Sequence, residues 1–315
     1  MKDLRKFGNI FNGSGALGFF NQDEYWYQVL LRRLGIKYKD GLTFVSKTTN
    51  MDGRPGNMEL TKDYKPAHWY PDCIHFDFLT GNGLNAVSVP TPGLIALFIT
   101  GNWQRMEKPF VISLMSMAAT PELRLAEHRR MADVLGGEKK HFRAPFSLEL
   151  NLSCPNGEES PSEQIKGSTD VLAAYAPLEV ELVPKYTVAS APIEAIMLLE
   201  DDDNCDGICV SNTWHYDLDG FGEKVFGQKV SPLKKYGGGG VSGPALRKHV
   251  LAYIRKLRQA GFTKHIRGGG GIYSGGHVRE YRNAGASSCF VSTVIPTRSL
   301  CVPGIIRYAN SLTWR

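Results

Sequence analysis

The sequence predicts an α/β fold, a (β/α)8 barrel with insertions after the second and sixth strands. Three observations carry this. Eight short apolar runs rich in Val, Ile, Phe and Leu are spread along 315 residues, as expected of strands covered on both faces in a parallel sheet. Stretches with helical spacing lie between most of them, and repeated strand–helix alternation implies crossover connections. No linker composition divides the chain, so residues 1–315 read as a single domain.

The strands are expected at N-I-F-N (9–12), L-T-F-V-S-K (42–47), F-V-I-S-L-M (110–115) and S-L-E-L-N-L-S (147–153). They continue at L-E-V-E-L-V (178–183), G-I-C-V-S-N (207–212), H-I-R-G-G (265–269) and S-C-F-V-S-T (288–293). Helical spacing is clearest at 123–135 and 245–257, with T-P-E (120–122) and S-G-P (242–244) as helix starts. Residues 50–108 and 213–240 are longer than one helix requires and read as the two insertions.

Bulk properties narrow the function. The chain is 42% hydrophobic and 22% charged, with net charge +6. No Lys/Arg run exceeds two residues, so a nucleic-acid stripe is not expected. The first residues lack an apolar signal region, and no stretch has the roughly 18 apolar residues of a spanning helix. A cytoplasmic protein without a membrane partner is expected. Six cysteines are too sparse for a disulfide framework. Cys205 and Cys209 lack a second pair at zinc spacing, so no metal site is expected. Cys209 and Cys289 sit in apolar runs and read as core fillers.

In a (β/α)8 barrel the active site lies at the C-terminal ends of the strands. Polar residues collect at those ends. Gly13, Ser14 and Gly15 follow the first strand, and Lys47 and Thr48 end the second. Ser113 closes the third, Asn151 to Asn156 the fourth, and Ser211, Asn212 and Thr213 the sixth. The glycine-rich pieces Y-G-G-G-G-V-S-G-P (236–244) and R-G-G-G-G-I (267–272), with Ser292 and Thr293, suit a phosphate site. Glycine lets backbone N–H groups approach an anion, and a following helix adds its positive end. No G-K-[ST] follows and no G-x-G-x-x-G opens the chain, so neither a P-loop nor a dinucleotide fold is expected.

Cys154 stands in N-L-S-C-P-N (151–156). A thiol can be a nucleophile, a ligand, an acid/base or a core filler. Pro155 and the polar G-E-E-S-P-S-E-Q place this one at a loop start. No histidine falls at a strand end to serve as a papain-like partner. Asn85, Asn151, Asn156, Asn212 and Thr213 would suit a flat ligand rimmed by C=O and N–H groups, such as a pyrimidine. In that setting an acid/base role suits Cys154 better than a nucleophilic one.

These motifs resemble the dihydroorotate dehydrogenases, flavin enzymes of pyrimidine biosynthesis. N-G-S-G (12–15), S-K-T-T-N-M-D-G-R-P-G-N (46–57), N-A-V-S-V-P-T-P-G (85–93), N-L-S-C-P-N, S-N-T, G-G-V-S-G-P, G-G-G-I and S-T occur in the family's order. Cysteine in the fourth motif is similar to the soluble class 1 branch. The resemblance implies a TIM barrel holding FMN. Gly13, Ser14, Gly15, Lys47, Thr48, Ser113, Asn151 and Ser211 would line the flavin, with Gly243, Gly270, Gly271, Ser292 and Thr293 at its phosphate. Dihydroorotate would contact Lys47, Asn85, Asn151, Asn156, Asn212 and Thr213. Cys154 would take the C5 proton as hydride leaves C6 for flavin N5, giving orotate. Fumarate would accept the electrons of a homodimer, whereas NAD would need a partner subunit. The alternatives are a flavin oxidoreductase for another dihydropyrimidine or cyclic amide, and a non-catalytic flavin-binding barrel.

The family carries a flavin-contacting lysine in a V-K-x-x-P pattern on the fifth strand. Here V-E-L-V-P-K (180–185) puts Glu181 at that place. A carboxylate there would oppose negative charge on reduced flavin and lower its potential, unless Lys185 reaches in from the strand end.

Overall fold

The structure is a computed structural model that describes residues 2–22, 25–152 and 161–314, the side chains of 161–166 aside. Its strands, in chain order, are β1 (Ile10–Asn12), β2 (Ile74–Phe76), β3 (Gly83–Asn85), β4 (Phe110–Leu114), β5 (Phe146–Asn151) and β6 (Leu182–Tyr186). They continue with β7 (Gly207–Val210), β8 (Trp214–His215), β9 (Gly240–Ser242), β10 (His265–Gly269) and β11 (Ser288–Val291).

Seven strands form one curled parallel sheet in the order β1-β11-β10-β7-β6-β5-β4. The expected second strand, 42–47, forms no regular strand. It makes isolated parallel bridges instead, Phe11 to Thr43 and Val45 to Val111, followed by Thr49 to Leu114. This segment therefore touches both edge strands of the sheet. Thr43 N donates to Ile10 O at 2.8 Å, and Val111 N donates to Phe44 O at 2.9 Å.

Two apolar layers explain the unbroken hydrophobic runs. All five residues of β4 are buried. One face of the sheet meets the helices. The other encloses Phe11, Val45, Val111, Val183, Cys209 and Phe290, with Leu4 and Phe7 packed against them. A strand buried on both faces has no reason to alternate polar and apolar residues.

The helices follow ordinary start signals. Thr120 caps Pro121–Glu138, its side chain accepting from Leu123 N, and proline occupies the first turn. His128, Met131, Ala132 and Leu135 are its buried residues, at helical spacing. The helix Arg247–Gln259 buries Val250, Leu251, Tyr253, Ile254 and Leu257. Among the described residues, no helix is long and apolar enough to cross a membrane.

The two long gaps meet in space. β2 and β3 come from the first, β8 from the second, and β9 begins where the second ends. They form one antiparallel sheet in the order β2-β3-β9-β8. This sheet carries Asn85 and Ser242, in β3 and β9, to the mouth of the parallel strands.

Candidate functional site

Two bordering cavities open where the parallel strands end. The smaller holds about 170 Å³, and its lining includes Gly13, Asn151, Ser211, Asn212, Thr213, Gly243, Gly270 and Gly271. The larger holds about 420 Å³, and its lining includes Gly15, Lys47 and Thr48. Ser14, Asn85, Ser242, Ser292 and Thr293 line both. The structure thus brings together every described candidate residue except Ser113. Cys154 and Asn156 lie outside the described residues.

The smaller cavity is built for an anion at one end. Gly243 and Gly271 adopt φ of +103° and +69°, a region that only glycine enters freely. A Cβ on Gly271 would stand 2.7 Å from Pro244 Cα, so the two loops touch backbone to backbone. Asn82 Oδ1 accepts from Ala245 N at 2.9 Å, and Thr293 Oγ1 donates to Ser242 Oγ at 3.0 Å. Tyr273 donates to Gly81 O at 2.6 Å. Burial raises that phenol to about 12, which keeps it a donor. The described lining contains Lys185 and no carboxylate. Glycine loops and hydroxyls in a described lining without a carboxylate fit the phosphate of a flavin mononucleotide.

The amides meet at the other end. Asn212 Nδ2 donates to Asn151 Oδ1 at 3.0 Å, and Thr213 N donates to Asn212 Oδ1 at 2.9 Å. Ser211 Oγ accepts from Val188 N at 3.1 Å and donates to Asn212 O at 2.6 Å. These bonds fix the orientation of Asn212, which shares the smaller cavity with Asn85 and Asn151. Lys47 is buried, with Nζ 5.1 Å from the centre of the Phe19 ring.

The fifth strand of the sequence pattern begins later than expected, at Leu182 rather than 178, and this corrects the role of Glu181. In the register of β5 and β6, Asn151 pairs with Lys185, whereas Leu148 pairs with Leu182. Lys185 therefore stands level with Asn151 and lines the cavity. Glu181 lies at the opposite end of the strand, 2.5 Å from Lys6 Nζ. Glu181 does not line the cavity, so the expectation of a carboxylate that lowers a flavin's potential loses its basis.

Lys185 belongs to a buried ionic group that the sequence reading missed. Its Nζ lies 3.2 Å from Glu149 Oε1, and Arg267 Nη1 lies 3.5 Å from Glu149 Oε2. Burial opposes the charge on Glu149, but Lys185 and Arg267 outweigh it and hold the carboxyl below its usual range. Burial likewise opposes charge on Lys185, and Glu149 reverses this and raises it. Ser113 belongs here rather than to a cavity wall. Its hydroxyl is 3.4 Å from Glu149 Oε1 and 2.9 Å from Thr48 Oγ1, which is 2.6 Å from Ser14 Oγ. A polar chain thus runs from the first loop to the buried carboxylate.

The larger cavity has an aromatic wall that the sequence reading also missed. Tyr25, Trp26, Tyr27, Trp69, Tyr70, Phe76 and Phe78 line it. The Trp26 and Trp69 rings are 5.0 Å apart. The adjacent pairs Tyr25-Trp26 and Trp69-Tyr70 were the available signal. Among the described residues no cluster of His, Cys, Asp and Glu could hold a metal ion.

A family model described as dihydroorotate dehydrogenase matches residues 61–307. The chain is 29% identical over 307 residues to the "Dihydroorotate dehydrogenase B (NAD(+)), catalytic subunit" of Streptococcus pneumoniae serotype 4, covering 94% of this chain and 86% of the relative. It is 27% identical over 245 residues to the protein so named in Methanopyrus kandleri, covering 72% of this chain and 70% of the relative. A third protein so named, from Halalkalibacterium halodurans, is 28% identical over 232 residues, covering 71% and 70%. With the family model spanning well over half of its length, the chain belongs to the dihydroorotate dehydrogenase family, oxidoreductases that convert dihydroorotate to orotate in pyrimidine biosynthesis.

Proposed function

We propose that this protein oxidises dihydroorotate to orotate with FMN bound across the mouth of a single (β/α)8 barrel domain. Residues 43–49 would be the barrel's second strand, and the β2-β3-β9-β8 sheet its two insertions. The observation that carries the reading is the shared lining of the smaller cavity. There the Asn85, Asn151 and Asn212 amides line the same cavity as the Gly243 and Gly271 loops.

When bound, FMN supplies the acceptor for a hydride from C6 of dihydroorotate. The chain's own groups do the rest. Gly243, Gly270, Gly271, Ser292 and Thr293 would hold the phosphate, and Lys185 would offer the flavin ring a cation. Asn85, Asn151, Asn156, Asn212 and Thr213 orient the substrate ring, and Lys47 offers its carboxylate a cation. Cys154 takes the proton from C5. A thiol's ordinary pKa near 8.5 leaves it within reach of that task beside a cation.

For the acceptor, the relatives' printed names favour NAD+ with a second subunit over fumarate with a homodimer. The test is anaerobic addition of dihydroorotate to the purified yellow protein. Bleaching of the flavin absorbance is expected, and a spectrum that dihydroorotate leaves unchanged rejects the activity. NADH formation only after a partner flavin/iron–sulfur subunit is added separates the two acceptors.

A further inference from the structure

Within the curl of the parallel sheet, two cations share one carboxylate. Arg267 is 1% exposed, and its guanidinium carbon lies 3.9 Å from the centre of the Phe11 ring. Among the described residues its ion-pair partner is Glu149 alone, and its Nε and Nη2 have no hydrogen-bond partner. Glu149, 2% exposed, spends one oxygen on Arg267 and the other on Lys185. Of the three, only Lys185 lines the cavity.

An arginine buried with two unsatisfied atoms is costly, and an aliphatic side chain of similar length would pack on Phe11 without that cost. Arg267 therefore calls for a reason other than packing. Charges in a protein interior are weakly screened, so a cation one layer below a cavity still acts on its occupant.

We propose that Arg267 sets the charge of the cavity floor: by sharing Glu149 with Lys185, it leaves the lysine only partly neutralised, so the site favours an occupant that gains negative charge. This inference rests on the reading that the cavity holds a flavin. Arg267 is then a positioning residue acting through Glu149 and Lys185. The flavin pyrimidine edge becomes more negative on reduction, and the partly neutralised lysine stabilises that state.

The test uses the purified flavin-loaded protein and two readouts other than turnover. One is the reduction potential of the bound flavin. The other is affinity for sulfite, whose sulfur adds to flavin N5 and leaves the ring anionic. Arg267→Met is expected to lower the potential and weaken sulfite binding about tenfold or more, the scale of removing a unit charge from a weakly screened interior. Arg267→Lys is expected to restore most of the loss. Glu149→Gln is expected to shift both readouts the opposite way, which a purely structural role would not do. Shifts of the same sign in Arg267→Met and Glu149→Gln, or no shift in either with flavin bound, overturn the proposal. Where Arg267→Met fails to fold, Glu149→Gln decides: tighter sulfite binding supports the proposal, and unchanged or weaker binding overturns it. A wild-type protein that binds no flavin rejects this inference together with the functional reading. Normal flavin binding with unmoved readouts rejects the inference alone.

Discussion

Lys185 Nζ stands 3.2 Å from Glu149 Oε1, and the register of β5 and β6 sets Lys185 beside Asn151. A lysine is thus anchored from below by a buried carboxylate while it faces the cavity that holds the amide side chains. Lys185→Met would leave Glu149 with Arg267 alone. Removing one member of a buried pair costs about 3 kcal/mol or more. A lower denaturant midpoint and weaker FMN binding in fluorescence titration are expected. Unchanged FMN affinity would remove Lys185 from the flavin site.

The proposed phosphate cradle depends on Gly271. Its φ of +69° and the 2.7 Å approach of a Cβ to Pro244 Cα exclude a side chain without movement of the loop. Gly271→Ala is expected to weaken FMN binding by tenfold or more, from strain of about 1–3 kcal/mol at such a position. Equilibrium titration of the apoprotein with FMN and with riboflavin checks this. Riboflavin lacks the phosphate and should lose less. Equal losses for both ligands would place the phosphate elsewhere.

Asn212 is oriented by three bonds before any substrate arrives, including the one to Asn151. Asn212→Ala should raise KM for dihydroorotate about tenfold, because losing a buried hydrogen bond costs on the order of 1–2 kcal/mol. Steady-state kinetics decide. A changed kcat with constant KM would assign Asn212 to the chemical step instead.

Cys154 is tested by chemistry. Cys154→Ala is expected to keep FMN and lose turnover by about a hundredfold or more, the usual contribution of a positioned acid/base. Cys154→Ser should retain part of the activity. Near-normal turnover in the alanine variant would reject the assignment.

Acid stability follows from two buried imidazoles. Burial pushes His128 down to about 4 and His265 down to about 3. His128 Nδ1 is 2.9 Å from Tyr175 Oη, and His265 Nε2 is 2.8 Å from Ser288 Oγ. Both histidines protonate more readily when unfolded, so the unfolded state binds more protons below pH 6.5. Stability is then fully present above pH 6.5 and is lost as the pH falls towards 4. The slope approaches about 1.4 kcal/mol per pH unit for each histidine. Melting curves from pH 7 to pH 4.5 should show it, and His128→Gln should cut the slope to about half, leaving the part due to His265. A flat wild-type profile would contradict the buried neutral state.

Much of the architecture was legible because its signals are local. Val, Ile and Phe runs such as Phe110–Leu114 mark strands covered on both faces. Thr120-Pro121 marks a helix start. Glycine pairs such as Gly270-Gly271 mark loops that backbone must approach closely. Polar residues at strand ends then fall at one mouth by topology alone, which is why Asn151, Asn212 and Thr213 were found. The aromatic wall was missed because its members come from two distant segments, residues 25–27 and 69–78, whose meeting no local pattern records. Residues 42–47 were read as a regular strand because composition cannot distinguish continuous pairing from isolated bridges.

The sequence by itself determined the family, the alternation of strands and helices, and many of the residues that line the two cavities. Only the tertiary structure decided which charge faces the cavity. Glu181, Val183 and Lys185 share one side of a strand by the two-residue period, and that period is the same at either end. Pairing with the neighbouring strand sets the height of each. It puts Lys185 beside Asn151 and leaves Glu181 with Lys6, and it gathers Lys185 and Arg267 around the buried carboxylate of Glu149, which lies 118 residues from Arg267 in the chain.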